Sequence, residues 1–412
     1  MKRSPLLVII VIMIFFAISF LTNILGPIMP AANDSFNMSL GLAGFLPFAF
    51  FIAYGVGSLP TGYFTDVYGM KLLTLLGMFF AIVACGIFTL YPSLGVYLAS
   101  LFFMGLGMAL LQVVINPLLR TAGGEEHYSF YSVMAQMIFA FGSFGSPYVY
   151  SYLVTNLPLK NGVIMNALAV ISPLNMPWVA FYLVAGLIFA ILFVVVLAIK
   201  FPKTELTSGE KVEGLTIIFE LFKSKIVWVY FIGIFAYVGT EQGVVVWISK
   251  FLNTYYQANP DTVGAQISAL FWAGQALGCL LGLLLIKLMD QRILLGIFIL
   301  LGMTMLSLAL FGSYSIALFA FPAFGFCTSV MYPGVLSLGL NSLEKHHGTF
   351  AGILCTGIIG GAIIPFVEGV LGDVIGLKFG MCLVYLTLAY MLGIAVFARP
   401  LVKNETIFSK KA

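Results

Sequence analysis

The chain has 412 residues, 61% of them hydrophobic and only 8% charged, with a formal net charge of +4. Soluble domains carry about 25% charged residues, so this composition excludes a water-soluble globule. It also leaves too little basic surface for a nucleic-acid partner.

A bilayer core about 30 Å thick needs about 20 apolar residues per helix. Runs of that kind recur at about 6–30, 41–63, 72–92, 97–119, 129–155, 176–199, 226–255, 263–288, 293–313, 315–340, 349–371 and 379–398. They predict an all-α membrane protein of twelve transmembrane helices. The first run opens as MKRSPLLVII and lacks an A-x-A cleavage site, so it reads as a retained helix and not as a secretory signal. Its end, TNILGPIMPAAN, is polar and proline-rich, as suits a helix bending beside an interior cavity.

All but Lys160, Lys250 and Lys378 of the 19 basic residues fall on the side of the membrane that holds the N-terminus. Lys and Arg gather in cytoplasmic loops, so both termini are expected in the cytoplasm and the chain in the inner (plasma) membrane. The positive charge is therefore a topology signal. Cys85, Cys279, Cys327, Cys355 and Cys382 lie inside apolar runs and read as small core residues with free thiols. His127, His346 and His347 lie in turns, and the sequence shows no metal-ligand cluster.

The one long hydrophilic stretch runs from Phe201 to Lys225. It divides the chain into a six-helix half (1–200), a cytoplasmic linker (201–225), a second six-helix half (226–398) and a tail (399–412). Thr22-Asn23 and Thr240-Glu241 fall at similar depths of the first and seventh helices, an echo that suits duplication. Parallel six-helix halves place a substrate near the midplane between them.

The loop after the second helix reads GYFTDVYGMK, Gly62 to Lys71. It resembles the G-x-x-x-D-x-x-G-x-[KR] signature of the major facilitator superfamily, at the position where that family carries it. Gly62 and Gly69 allow a tight turn, and Asp66 can accept from a helix N-terminus. With Lys71 and Arg120 it forms a charge cluster expected to latch the halves. The second-half counterpart, GLLLIKLMDQR, has Lys287 in place of the acid.

AFFIAYGVGSLPTG, GLGMALLQVVINP, AYVGTEQG, MYPGVLSLGL and GIIGGAIIPFVEGVLGD are similar to segments of the fucose:proton symporter subfamily, which includes glucose/galactose permeases. The resemblance covers the whole chain. It implies a monosaccharide held between the halves, usually in symport with a cation. It also marks departures: the symporter's first-helix carboxylate falls on Asn23, its fourth-helix carboxylate on Gln112 and a fifth-helix asparagine on Phe139. Amides do not titrate, so sugar binding carries over but the proton mechanism does not.

A charge at bilayer depth is costly against lipid, so Glu241 and Gln242 are expected to face the cavity. Asn23, Gln112, Gln136 and Gln275 would add amides, which donate and accept at once, and Trp247, Trp272 and Tyr54 would supply aromatic walls. Each amide has the plainer alternative of a helix–helix hydrogen bond, and each tryptophan that of a membrane anchor. Glu241, Asn23 and Glu368 are the ion-coupling candidates: Glu241 as a proton site, or as part of a Na⁺ site with Asn23 and backbone carbonyls. A third option leaves Glu241 only bonded to sugar, in an uncoupled facilitator.

The predicted function is a monosaccharide carrier working by alternating access as a monomer, without cofactor. A multidrug exporter is the rival within the superfamily, but amides on five helices favour a polyhydroxylated ligand. Gly-rich helices suited to rocking argue against a channel. No nucleophile–base set suggests an enzyme.

Overall fold

The computed structural model describes residues 5–123, 128–160, 162–201, 220–343 and 347–399. Every regular element among them is helical, as lipid requires of a chain that must satisfy its backbone polar groups internally. The spans, labelled in chain order, are α1 (Pro5–Phe36), α2 (Leu40–Tyr68), α3 (Met70–Leu90), α4 (Leu94–Gly123), α5 (Tyr128–Asn156) and α6 (Pro177–Ala198). The second set is α7 (Lys225–Val245 continued by Ile248–Tyr256), α8 (Pro260–Leu285), α9 (Gln291–Phe311), α10 (Tyr314–Leu340), α11 (Gly352–Ile375) and α12 (Leu377–Phe397).

Ten of the described helices are long and apolar enough to cross a membrane, or eleven with the bent pair of α7. The remaining expected span, α5, has 29 residues and so has the length, but its Ser, Tyr and Gly content lowers its hydropathy. Its surroundings explain that polarity, because one face packs on α1 and another on α8. Large side chains on the outside of the bundle are apolar: Leu277 is 63% exposed and Leu386 69%.

Helix pairing repeats with an offset of six. In the first half α2 packs on α4, α3 on α4, α1 on α5 and α3 on α6; in the second, α8 packs on α10, α9 on α10, α7 on α11 and α9 on α12. The halves meet through α2 on α11 and α5 on α8, which exchange under the same offset. Both leading helices are broken, α1 at Asn23–Ile24 and α7 at Val246–Trp247, with a bend of 41° in α7. If the breaks correspond, Asn23 matches Val246. The sequence echo with Thr240-Glu241 is then out of register by about a turn and a half. Chemical likeness suggested that echo; the position of the break sets the register.

Two boundaries differ from expectation. α2 continues to Tyr68, so Gly62 is a helical residue with open space around its Cα, and the turn is Gly69 alone, at φ 83°. A β-carbon resists that backbone conformation, which is why glycine stands there. A further helix, Gly162–Ile171, lies between α5 and α6. Most of the linker and all but Arg399 of the tail lie outside the described residues.

The halves are sealed at the face opposite the N-terminus, called the distal face below. A β-carbon on Gly26 of α1 would lie 2.5 Å from the Val245 carbonyl oxygen, and one on Gly44 of α2 would lie 2.8 Å from that of Pro365. Backbones this close leave no room for a side chain. Polar links add to the seal. Leu40 and Gly41 N–H donate to Asp373 at 2.7 Å each, Lys250 Nζ donates to Asn33 Oδ1 at 2.6 Å, and Tyr150 donates to Asp261 at 2.5 Å.

Candidate functional site

Glu241 lies on α7 one turn beyond Tyr237, so the two side chains share a helix face. The Tyr237 hydroxyl donates to Glu241 Oε1 at 2.5 Å. Gln275 of α8 donates through Nε2 to the same oxygen and lies 3.0 Å from the Tyr237 hydroxyl. Gln242 Nε2 reaches Oε2 at a long 3.5 Å. Oε1 is thus saturated by donors, while Oε2 keeps acceptor capacity.

Around this carboxylate the other walls come from three more helices. The Tyr332 ring of α10 lies 5.4 Å from that of Tyr237. Its phenol lies near the Cys355 thiol of α11. Tyr54 of α2 is buried beside Gly55, which packs on Ile359 of α11, and so brings the first half to the edge of the site. Cys279, one turn beyond Gln275 on α8, is exposed, and its thiol donates to the Ser329 carbonyl of α10 at 3.6 Å. A carboxylate oxygen, amides, phenols and aromatic faces therefore converge from α2, α7, α8, α10 and α11. Such a set can bond several hydroxyls and cover an apolar ring face.

The same geometry tests the sodium option. A Na⁺ ion needs oxygen atoms presented as acceptors; the O–H and N–H groups here occupy Oε1 and leave Oε2 open. Asn23 does not join them: its Nδ2 donates to Ser143 of α5 at 2.6 Å, within its own half. Asn23 takes the plainer helix–helix bond through its amide nitrogen.

The remaining candidates separate. Gln242 is buried, its stem against Gly361 of α11. Gln112 is half-buried on α4. Trp272 is buried one turn from Gln275, and its indole N–H has no hydrogen-bond partner among the described residues. Trp247 is fully buried at the distal seal against Gly369, in the break of α7, and so is not a lipid-facing anchor. Glu368 is also fully buried, against Gly243 of α7, on the side of that helix away from Gln275. The side chains of Asp66, Arg120 and Gln136 lie outside the described part. Lys71 donates to the Leu197 and Ile199 carbonyls at 2.9 and 2.7 Å, capping the end of α6 within the first half.

Sequence reasoning missed Tyr237, Tyr332, Cys279 and Cys355. The one-turn spacing of Tyr237 and Glu241 was a usable signal. The exposed Cys279 is no core thiol, and nothing local marks Tyr332 or Cys355, which arrive from other helices.

Two sets of six helices that repeat one packing pattern, closed together at one face with polar side chains converging inside, are the build of a membrane transport protein. The chain belongs to the Major Facilitator Superfamily, whose family model matches residues 11–365. It is 28% identical over 386 residues to the glucose/galactose transporter of Brucella abortus, covering 92% of this chain and 90% of that protein. It is 23% identical over 391 residues to the L-fucose-proton symporter of Escherichia coli, covering 88% and 86%. Among solved structures, an inward-facing, unoccupied bacterial homologue of the human lysosomal transporter Spinster superimposes with a TM-score of 0.76 at 13% identity, covering 96% of this chain and 98% of that one. The relatives are transporters, not enzymes.

Proposed function

We propose that the protein carries a monosaccharide across the bacterial inner membrane by alternating access, as a monomer, in cation-coupled uptake. The observation that carries this reading is the convergence of Tyr237, Glu241 and Gln275 with Tyr332 and Tyr54, because it offers hydroxyl-bonding groups and ring-covering aromatics from both halves. The named sugars of the relatives agree with it. With the termini in the cytoplasm, the distal face is the outside, and the sealed arrangement is the inward-facing state. Asp66 and Arg120 would latch the opposite, cytoplasmic face when the carrier faces outward.

A proton is the coupling ion of this reading, supported by the likeness to the L-fucose-proton symporter. The specific counter-reading is an uncoupled facilitator, favoured by the amides Asn23 and Gln112 at the symporter's carboxylate positions. Uptake of labelled glucose, galactose and fucose into proteoliposomes, under separate Na⁺ and pH gradients, tests the reading. Accumulation driven by an inward proton gradient supports it. Equilibration without accumulation under either gradient identifies a facilitator, and absence of flux for every hexose refutes the sugar assignment.

A further inference from the structure

Glu368 is an acid the sugar site does not use. It is 0% exposed, and neither carboxyl oxygen has a hydrogen-bond partner among the described residues. The carboxyl lies flat on the bare backbone of α7: a β-carbon at Gly243 would sit 2.9 Å from Oε1 and 3.0 Å from Oε2. The Trp247 indole N–H lies alongside without completing a hydrogen bond.

Charged and titratable groups on the surrounding elements point elsewhere. On its own helix, Asp373 is turned to the Leu40 and Gly41 amides. On α7, Glu241 is held by Tyr237 and Gln275, Lys250 is turned to Asn33 and Asp34, and the Tyr255 hydroxyl accepts from Lys378 N–H. On α12, Lys378 Nζ lies over the Tyr255 and Phe311 rings, Tyr385 bonds Ser307, and Tyr390 donates to the Val229 carbonyl. On α2, Tyr54 is buried beside Gly55, which packs on Ile359. Cys382 of α12 is the titratable neighbour, and a thiol supplies no positive charge. An ionised carboxylate here would have lost water and gained no partner, which strongly disfavours it.

The position ties this group to the distal seal. The next residue, Gly369, packs against the Leu40 carbonyl of α2, and Asp373, little more than a turn further, caps the start of that helix. The carboxyl itself faces Gly243 of its own half, and α2 covers the adjoining Gly369, so separation of α2 from α11 removes one wall of this turn. Two residues from Gly243 on α7 stands Glu241, on the side facing α8, so the sugar site and the buried acid share one helix turn.

We propose that Glu368 is a proton-binding site operated by the distal gate, occupied while the gate is shut and exchanging with outside water when it opens. This rests on the alternating-access reading and on the distal face being the outside. The step is a single protonation: the carboxylate of the open state takes a proton from outside water, and the neutral acid is then buried as α2 closes on α11. Because the shut state holds the extra proton, low outside pH favours closure and high pH favours opening. A one-proton difference limits the change in the shut-to-open ratio to about tenfold per pH unit.

Hydrogen–deuterium exchange of the peptide covering Leu40 to Gly44, on the full-length protein in nanodiscs and corrected for intrinsic exchange, reads the gate. Wild-type protection is expected to fall as pH rises, by up to about tenfold per unit. Glu368→Gln, neutral at every pH, is expected to stay protected with no slope. Asp373→Asn should lower protection throughout and keep the slope. A flat wild-type profile, or an unchanged slope in Glu368→Gln, overturns the proposal. Should that variant not fold, Gly243→Ala serves, since its methyl group displaces the carboxyl; a wild-type profile there overturns the proposal equally. Calorimetric glucose and galactose binding on the same variants separates the two readings. Sugar binding with an unchanged slope refutes the proton site alone, and a lost slope without any sugar binding refutes the sugar assignment alone.

Discussion

Replacing Glu241 by Gln isolates the chemistry on which the sugar reading depends. Oε1 accepts from Tyr237 and Gln275, while Oε2 has only the 3.5 Å approach of Gln242. A glutamine that places its carbonyl at the Oε1 position keeps both strong bonds, so the variant should fold. At the Oε2 position an NH₂ group replaces an acceptor and meets the Gln242 amide as a second donor. A sugar hydroxyl donating to a charged acceptor contributes about 1.5–3 kcal/mol, so Kd should rise by about 10- to 150-fold. Isothermal titration with glucose, galactose and fucose on purified protein measures this, with thermal unfolding run alongside to establish folding. A folded variant whose affinity for its best sugar moves less than about twofold removes the carboxylate from the binding site.

Gly26→Ala and Gly44→Ala both place a methyl group against a carbonyl across the distal seal. Overpacking of this kind costs about 1–3 kcal/mol, so each should open the distal gate and raise amide exchange at the start of α2; unchanged exchange would contradict the seal. Cys279 is exposed one turn from Gln275, so a maleimide added from the cytoplasmic side should alkylate it and block transport, with a bound sugar slowing the reaction. Labelling that sugar does not slow places Cys279 outside the pocket. Asp66→Asn should slow transport while leaving equilibrium sugar binding intact, comparing counterflow with calorimetry; wild-type rates would remove Asp66 from the gating step.

The amino-acid sequence by itself determined the class of structure. Composition excluded water as the surrounding medium, and run length then fixed helices as the elements, because lipid leaves the backbone no other partner. The loop motif pointed to the superfamily, and the cost of a charge at bilayer depth singled out Glu241. Where a residue's fate depends on its own helix, as with Gly69 in its turn, the reading held. What only the tertiary structure decided is which polar groups meet. Asn23 and Glu241 looked alike along the chain, but one bonds inside its own half and the other collects donors from α7 and α8. Trp247 and Trp272 were equivalent on paper, but the break in α7 turns the first into the distal seal. Tyr332 and Cys355 reach the site from helices about 90 to 115 residues away in sequence from Glu241, a distance over which hydropathy carries no information. Helix formation is a local balance of backbone and solvent, whereas a binding site is set by how rigid helices rotate about their axes as they pack, and no single helix encodes that rotation.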